Sequence, residues 1–134
     1  MARAIVAVIA GILSAFVSIL LVQAVGALAA PAGPAPSLKD AEHMREYLSA
    51  MPVASYAFLL AAYLVGSALG GTVAGRIMFN PRSRCVWIVG GILLVTTVAN
   101  IVLIPHPLWF SIASVVMIFM GTGYSTTLRP VVKR

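Results

Sequence analysis

The sequence predicts an all-α membrane protein: a bundle of four transmembrane helices, both termini on the cytoplasmic side, with an amphipathic helix outside the bilayer between the first and second spans. Three observations carry that expectation. The 134 residues are 61% hydrophobic and 9% charged, with a mean hydropathy of +1.05, whereas charged residues make up about a quarter of a soluble domain. Four apolar stretches lie near the roughly 20 residues needed to cross about 30 Å of hydrocarbon, and together they occupy most of the chain as a single integral membrane domain. Basic residues fall in alternate loops, as a fixed topology demands.

The first stretch, residues 4–30, carries no charge and stops at a segment containing Pro31, Pro34 and Pro36. Proline lacks the amide donor a helix needs and clashes with the preceding turn. Met1 to Arg3 followed by the Ala27, Leu28, Ala29 triplet also has the outline of a secretory signal. The apolar run exceeds the roughly 7 to 15 residues of a signal core, so it is read as a retained helix. The second stretch, 53–75, ends at Arg76; the third is 85–104; Pro105 and Pro107 enforce a turn before the fourth, 107–124. In hydrocarbon each segment must satisfy its own backbone hydrogen bonds, which makes all four helices.

Orientation follows from Lys and Arg, which favour short cytoplasmic loops. Arg3, then Arg76, Arg82 and Arg84, then Arg129, Lys133 and Arg134 all fall on one side. The other side receives residues 31–52, where Lys39 and Arg45 are outnumbered by Asp40, Glu42 and Glu46, and the uncharged turn of Pro105, His106 and Pro107. Trp87 and Tyr124 then belong near the inner interface, and Tyr56, Trp109 and Phe110 near the outer one. The basic face is expected to attract anionic lipid headgroups, by about 1 kcal/mol per cation close to the surface. No nucleic-acid partner is expected, because the charges stand where topology requires them.

In the outer segment, Ser37 to Asp40 matches a capping box. Leu38, Ala41, Met44, Leu48 and Met51 recur at helical spacing, with Lys39, Glu42, His43 and Glu46 on other faces. This predicts an amphipathic helix over about 38–51, ended by Pro52. It reads as a surface helix on the leaflet or over the bundle, with a ligand-binding lid as the alternative. His43 and Glu46 are too few for a metal site, and no metal or cofactor is expected.

The most unusual run is LVGSALGGTVAGRI, residues 64–77. A phosphate loop would need a strand before these glycines and a helix starting at them; here they lie inside a predicted span. Gly66, Gly70 and Ala74 stack on one face, and Ser67, Gly71 and Gly75 on the adjacent one. Small residues let helices approach closely in lipid. This is a helix-packing face, its partner either within the chain or in a second copy. Gly11, Ser14, Ala15 and Ser18, with Gly90 and Gly91, supply surfaces to receive it.

Chemistry is sparse. No Asp, Glu, Lys, Arg or His lies inside an apolar stretch, although such groups mark proton and ion pathways. Gln23, Asn100, Thr96 and Thr97 remain, the two amides at similar depth, as interhelix hydrogen bonds or as a polar site. Cys85 is the only cysteine, which excludes an intrachain disulfide, and no nucleophile has a base in reach. His106 reads as a turn residue, with a pH sensor as the alternative. Tyr63 and Tyr124 read as packing or interface residues. The chain is expected not to be an enzyme.

Known four-helix families lack their markers here. Small multidrug transporters carry a glutamate in their first helix, fluoride channels have their Gly-rich and Arg segment in another helix, and quinone-linked thiol oxidases need cysteine pairs. The chain instead resembles a set of small bacterial four-helix membrane proteins without an assigned activity. The likeness rests on the acidic outer segment, YLVGSALGGTVAGRI and above all NIVLIPHPLWF at residues 100–110, and spans nearly the whole chain. It implies a bacterial inner-membrane protein and carries no catalytic residues across. Two functional classes are open: an accessory or scaffold protein that assembles with itself or a larger complex, or a homo-oligomeric channel or transporter for a small solute.

Overall fold

Proline punctuation explains where the helices lie. The computed structural model describes residues 1–31, 33–34, 36–37, 39–80, 82–104 and 106–128. Its helices are α1 (Ala2–Ala29), α2 (Ala41–Ala50), α3 (Val53–Ile77), α4 (Arg84–Leu103) and α5 (Leu108–Thr127), with no strand among the described residues. Four of them, all but α2, are long and apolar enough to cross a membrane, as a multi-pass protein requires. The helices α1, α2 and α4 each end one residue before an X-Pro pair, because proline pushes its predecessor out of the α region. Ala30, Met51 and Ile104 accordingly hold ψ of 72°, 132° and 123°. Pro52 and Pro107 then stand at the N-caps of α3 and α5, both at φ −57° and ψ 140°.

The helix between the first two spans is shorter than expected. It begins at Ala41, and its N-cap is Asp40, whose Oδ1 accepts from the His43 N–H at 3.3 Å. The cap expected at Ser37 is not formed; its hydroxyl accepts from Lys39 N–H at 3.4 Å in a turn instead. Asp40 is itself a favoured N-cap residue and adds a negative charge at the helix N-terminus, so it outcompetes the serine three residues earlier. Met44 and Leu48 are buried as the periodicity predicts. Leu38 lies outside the described residues, as does the side chain of Ala41.

Without a stop residue such as glycine, α3 ends in a Schellman motif, with Asn80 N–H donating to Gly75 O and Phe79 N–H to Arg76 O. Phe79 takes the left-handed position, φ 54°, which costs a non-glycine residue about 1–2 kcal/mol. Arg3 offsets that cost. Its Nε donates to Ile77 O at 2.7 Å, and its guanidinium stands 4.0 Å from the Phe79 ring centroid. A cation at a helix C-terminus also opposes the helix dipole.

Among the long helices α3 is central, packed against α1, α4 and α5; α4 in turn touches α1 and α5. The chain's start, the end of α3 and the start of α4 therefore share one end, where Arg3, Arg76, Arg82 and Arg84 are all exposed. Arg129, Lys133 and Arg134 lie outside the described residues.

Small residues form the core: Ala7, Ala15, Ala62 and Ala74 have no exposed surface. Gly66, Ser67, Gly70, Gly71, Ala74 and Gly75 are all buried within the one chain. The two stripes seat different helices. A side-chain carbon built at Gly70 would stand 2.7 Å from Gly11 O and 2.8 Å from Ala15 Cβ, and one at Gly66 would stand 2.5 Å from Ile19 Cγ1, so this stripe receives α1. The adjacent stripe meets α5, where Gly71 abuts Ser125 and Ser67 abuts Gly121, and it meets α4 through Val86.

Aromatic residues at the other end pack on one another. Tyr56 and Phe110 are 4% and 2% exposed. They belong to a cluster with Trp109 and His106, centroids 5.1 to 5.3 Å from Tyr56 to both neighbours and 5.1 Å from His106 to Phe110. Mutual stacking buries them; Trp109, Trp87 and Tyr124 are half or more exposed.

Candidate functional site

The two amides of the long helices, Gln23 and Asn100, converge with Thr96 and Thr97 where α1 and α4 separate. Near the arginine-bearing end these helices touch: a carbon built at Gly11 would stand 2.9 Å from Val89 Cγ2, and Cys85 Sγ lies 4.0 Å from Ala4 O. Toward the α2 end the gap widens into a cleft of about 270 Å³. One wall is Phe16, Ile19, Leu20 and Gln23 of α1, the other is Leu93, Thr96, Thr97 and Asn100 of α4, and Tyr63 of α3 forms the floor.

Gln23, Asn100, Thr96 and Thr97 thus line one space. Gln23 and Asn100 are half-buried, Thr97 is buried and Thr96 is exposed. The Thr96 hydroxyl stands 3.1 and 2.9 Å from Ile92 O and Leu93 O, so its proton is taken by the helix. Among the described residues the two amides do not bond directly; Asn100 instead pairs with the Tyr63 side chain. Sequence reading took Tyr63 for a packing residue. Its signal was the lean of helical side chains toward the helix N-terminus, which lifts a phenol on α3 toward the level of Asn100.

A second cavity, of about 210 Å³, lies beneath α2. Tyr47 and Met51 close it over Gly26, Ala27 and Ala30 of α1 and Ser55, Phe58 and Leu59 of α3, and Gln23 lines it too. Hydrogen bonds hold this cover: Tyr56 Oη donates to Leu48 O at 2.7 Å, Tyr47 Oη to Gly33 O at 3.2 Å, and Ser55 Oγ to Ala30 O at 2.9 Å. On its exposed face, His43 Nδ1 and Asp40 Oδ2 are 2.6 Å apart. That bond raises the His43 pKa above the usual imidazole value and lowers that of Asp40.

The remaining sites do not join the cleft. His106 Nδ1 meets Ile104 O at 2.9 Å and its ring stacks on Phe110, which fixes it at the turn. Pro107 opens α5; Pro105 lies outside the described residues. Cys85 is buried.

The cleft is chemically a set of neutral donors and acceptors with apolar walls. It can orient a polar group by hydrogen bonding. Comparison with protein-family profiles, curated proteins and solved structures finds no match to this chain.

Proposed function

We propose that the chain is a non-enzymatic, multi-pass protein of a bacterial inner membrane, an accessory or scaffold subunit built as a four-helix bundle with both termini cytoplasmic. The observation that carries this reading is the distribution of polarity. Gln23 and Asn100, the only amides among the described residues of the long helices, meet in one lateral cleft toward one end, while the α1–α3 seam beside it is closed by Gly66, Gly70 and Gly11. A holder of a bound group fits that arrangement better than a conduit, which needs polarity along its whole length.

The shared end of Arg3, Arg76, Arg82 and Arg84 supports a cytoplasmic face that associates with anionic headgroups. Since the glycine face is consumed within the chain, docking onto a larger membrane complex, or onto a second copy, uses the exposed apolar faces of α1, α4 and α5. The likeness carried by NIVLIPHPLWF supports the bacterial inner membrane as the location.

Two measurements test the reading. With Cys85 replaced by serine, single cysteines at Ser37 and Asn80 should react with an impermeant thiol reagent from opposite faces of the membrane. Proteoliposomes should pass water, glycerol and monovalent ions no faster than empty vesicles. Flux that Gln23→Leu with Asn100→Leu abolishes would replace the scaffold by the homo-oligomeric channel.

A further inference from the structure

We infer that the cleft between α1 and α4 binds the uncharged, carbonyl-bearing head of an amphiphile that enters sideways from the bilayer. The inference rests on the reading that the chain spans a membrane, and it names the ligand class of the site described above.

Charge decides the first property of the ligand. Among the described residues none lining the cleft is ionisable at neutral pH, and a buried phosphate or carboxylate without a cation is strongly disfavoured. The head is therefore neutral. Hydrogen-bonding capacity decides the second. Gln23 and Asn100 each carry two amide donors beside a carbonyl acceptor, and Tyr63 and Thr97 each carry a hydroxyl that donates and accepts; Asn100 already pairs with Tyr63, and Thr96 has spent its proton on the helix. The remaining amide and hydroxyl donors can hold a ketone or ester carbonyl, which only accepts.

Shape and depth decide the rest. At about 270 Å³ the cleft falls short of the roughly 300–1,000 Å³ of pockets that enclose a whole small molecule. It holds a head, and the tail stays outside. The mouth is the α1 wall, where Phe16 is 42% and Leu20 63% exposed, an apolar lip along which a hydrocarbon tail can lie. Asn100 and Gln23 sit about 5 and 9 Å inside the ends of α4 and α1 at 1.5 Å per residue. That is below the charged surface and at the level of uncharged carbonyls. Two kinds of amphiphile offer this chemistry, a glyceride ester and a prenylated quinone ring.

The test uses the intact protein in lipid nanodiscs with three photoactivatable probes: a diacylglycerol, a prenylated benzoquinone, and a phosphatidic acid as the charged comparator. At least one neutral probe should label residues 16–23 or 93–100 more strongly than the phosphatidic acid does, and whichever neutral probe labels identifies the source. Leu20→Trp, at an exposed position that leaves folding intact, should block the mouth. Gln23→Leu with Asn100→Leu should remove the donors. Each should lower labelling about tenfold, the equivalent of one or two intramembrane hydrogen bonds or their steric loss. Labelling spread evenly over exposed apolar surface, such as the α4–α5 groove of Val98, Ile112 and Val116, would overturn the inference. So would preferential labelling by phosphatidic acid, or indifference to Leu20→Trp. Vesicle flotation separates the two levels: protein that fails to float sinks the membrane reading itself, whereas floating protein with an unlabelled cleft sinks this inference alone.

Discussion

The two ends of the molecule are built from the same helices in opposite ways. At the arginine-bearing end backbones nearly touch, with Gly11 against Gly70 and Val89, and Arg3 bonded across to Ile77. At the α2 end α1 and α4 part around Gln23, Tyr63 and Asn100, leaving two cavities that share Gln23. Side-chain size sets the difference. Glycine and alanine bring helices close enough for dispersion to hold them where hydrocarbon offers no hydrophobic drive, whereas amide and phenol side chains prop them apart and leave room for a ligand. The tight end is the frame, and the loose end is the part free to hold something.

The sharpest way to break this contrast is to overfill the frame. Gly70→Leu should cost several kcal/mol, beyond the about 1–3 kcal/mol of ordinary overpacking, because its first carbon already meets Gly11 O. Loss of monodisperse protein, or a large fall in Tm in detergent, is the expected readout. Gly91→Leu is the control: nothing lies within 4 Å of its added carbon, so the change should stay within about 0.5 kcal/mol. Equal behaviour of the two would remove the close-packed seam from the argument.

Next in size is Arg3→Met, which keeps length but removes the donor to Ile77 O and the cation over Phe79. A loss of about 1–3 kcal/mol is expected from a charged hydrogen bond and a cation–π contact. Phe79→Gly on that background should recover part of it by relieving the left-handed residue.

How much of this contrast was legible beforehand differs by end. Prolines and charges marked the helices, and the spacing of Gly66, Gly70 and Ala74 beside Ser67, Gly71 and Gly75 identified a contact face. Periodicity names a face without naming its neighbour, so that one stripe seats α1 and the other α5 is seen only in the fold. Gln23 and Asn100 were legible as a pair at one depth. Tyr63 was not, since a tyrosine in an apolar run is read as bulk until its hydroxyl is followed along the helix. That Tyr56 and Phe110 bury each other was not legible, because burial by mutual stacking leaves no local pattern, and Asp40 was overlooked as a cap because Ser37 offered the more familiar spacing.

At the loose end, Tyr56→Phe sharpens the comparison by releasing α2. Losing the bond to Leu48 O should cost about 1 kcal/mol and raise amide exchange across Ala41–Ala50. Exchange in α3 near Gly70 should stay unchanged.

The smallest effect is electrostatic. The raised pKa of His43 contributes stability that is complete below the imidazole value of 6.5 and is lost as pH rises through its folded pKa. The lowered pKa of Asp40 contributes above 3.8 and is lost as pH falls through its folded value. The start of α2 is therefore held best between these ranges, in mildly acidic solution. NMR titration should find the His43 midpoint above 6.5 and Asp40→Asn should return it toward that value. Both side chains are exposed, so global Tm should not follow this titration.

The narrow stripe by which α1 meets its neighbours, Ala7, Gly11, Ala15 and Ile19, bears on how the chain is made. While α3 is still being synthesised, α1 has no partner, and what it leaves uncovered is alanine, glycine and isoleucine, with no charge to shield. In the proposed membrane it therefore waits without a chaperoning contact. Crosslinks between α1 and α3 on translation intermediates should form only after α3 emerges, and earlier protection of α1 by another protein would contradict this. Arg3 then makes its bond to Ile77 only when α3 is complete, so the first turn of α1 is locked well after it is made.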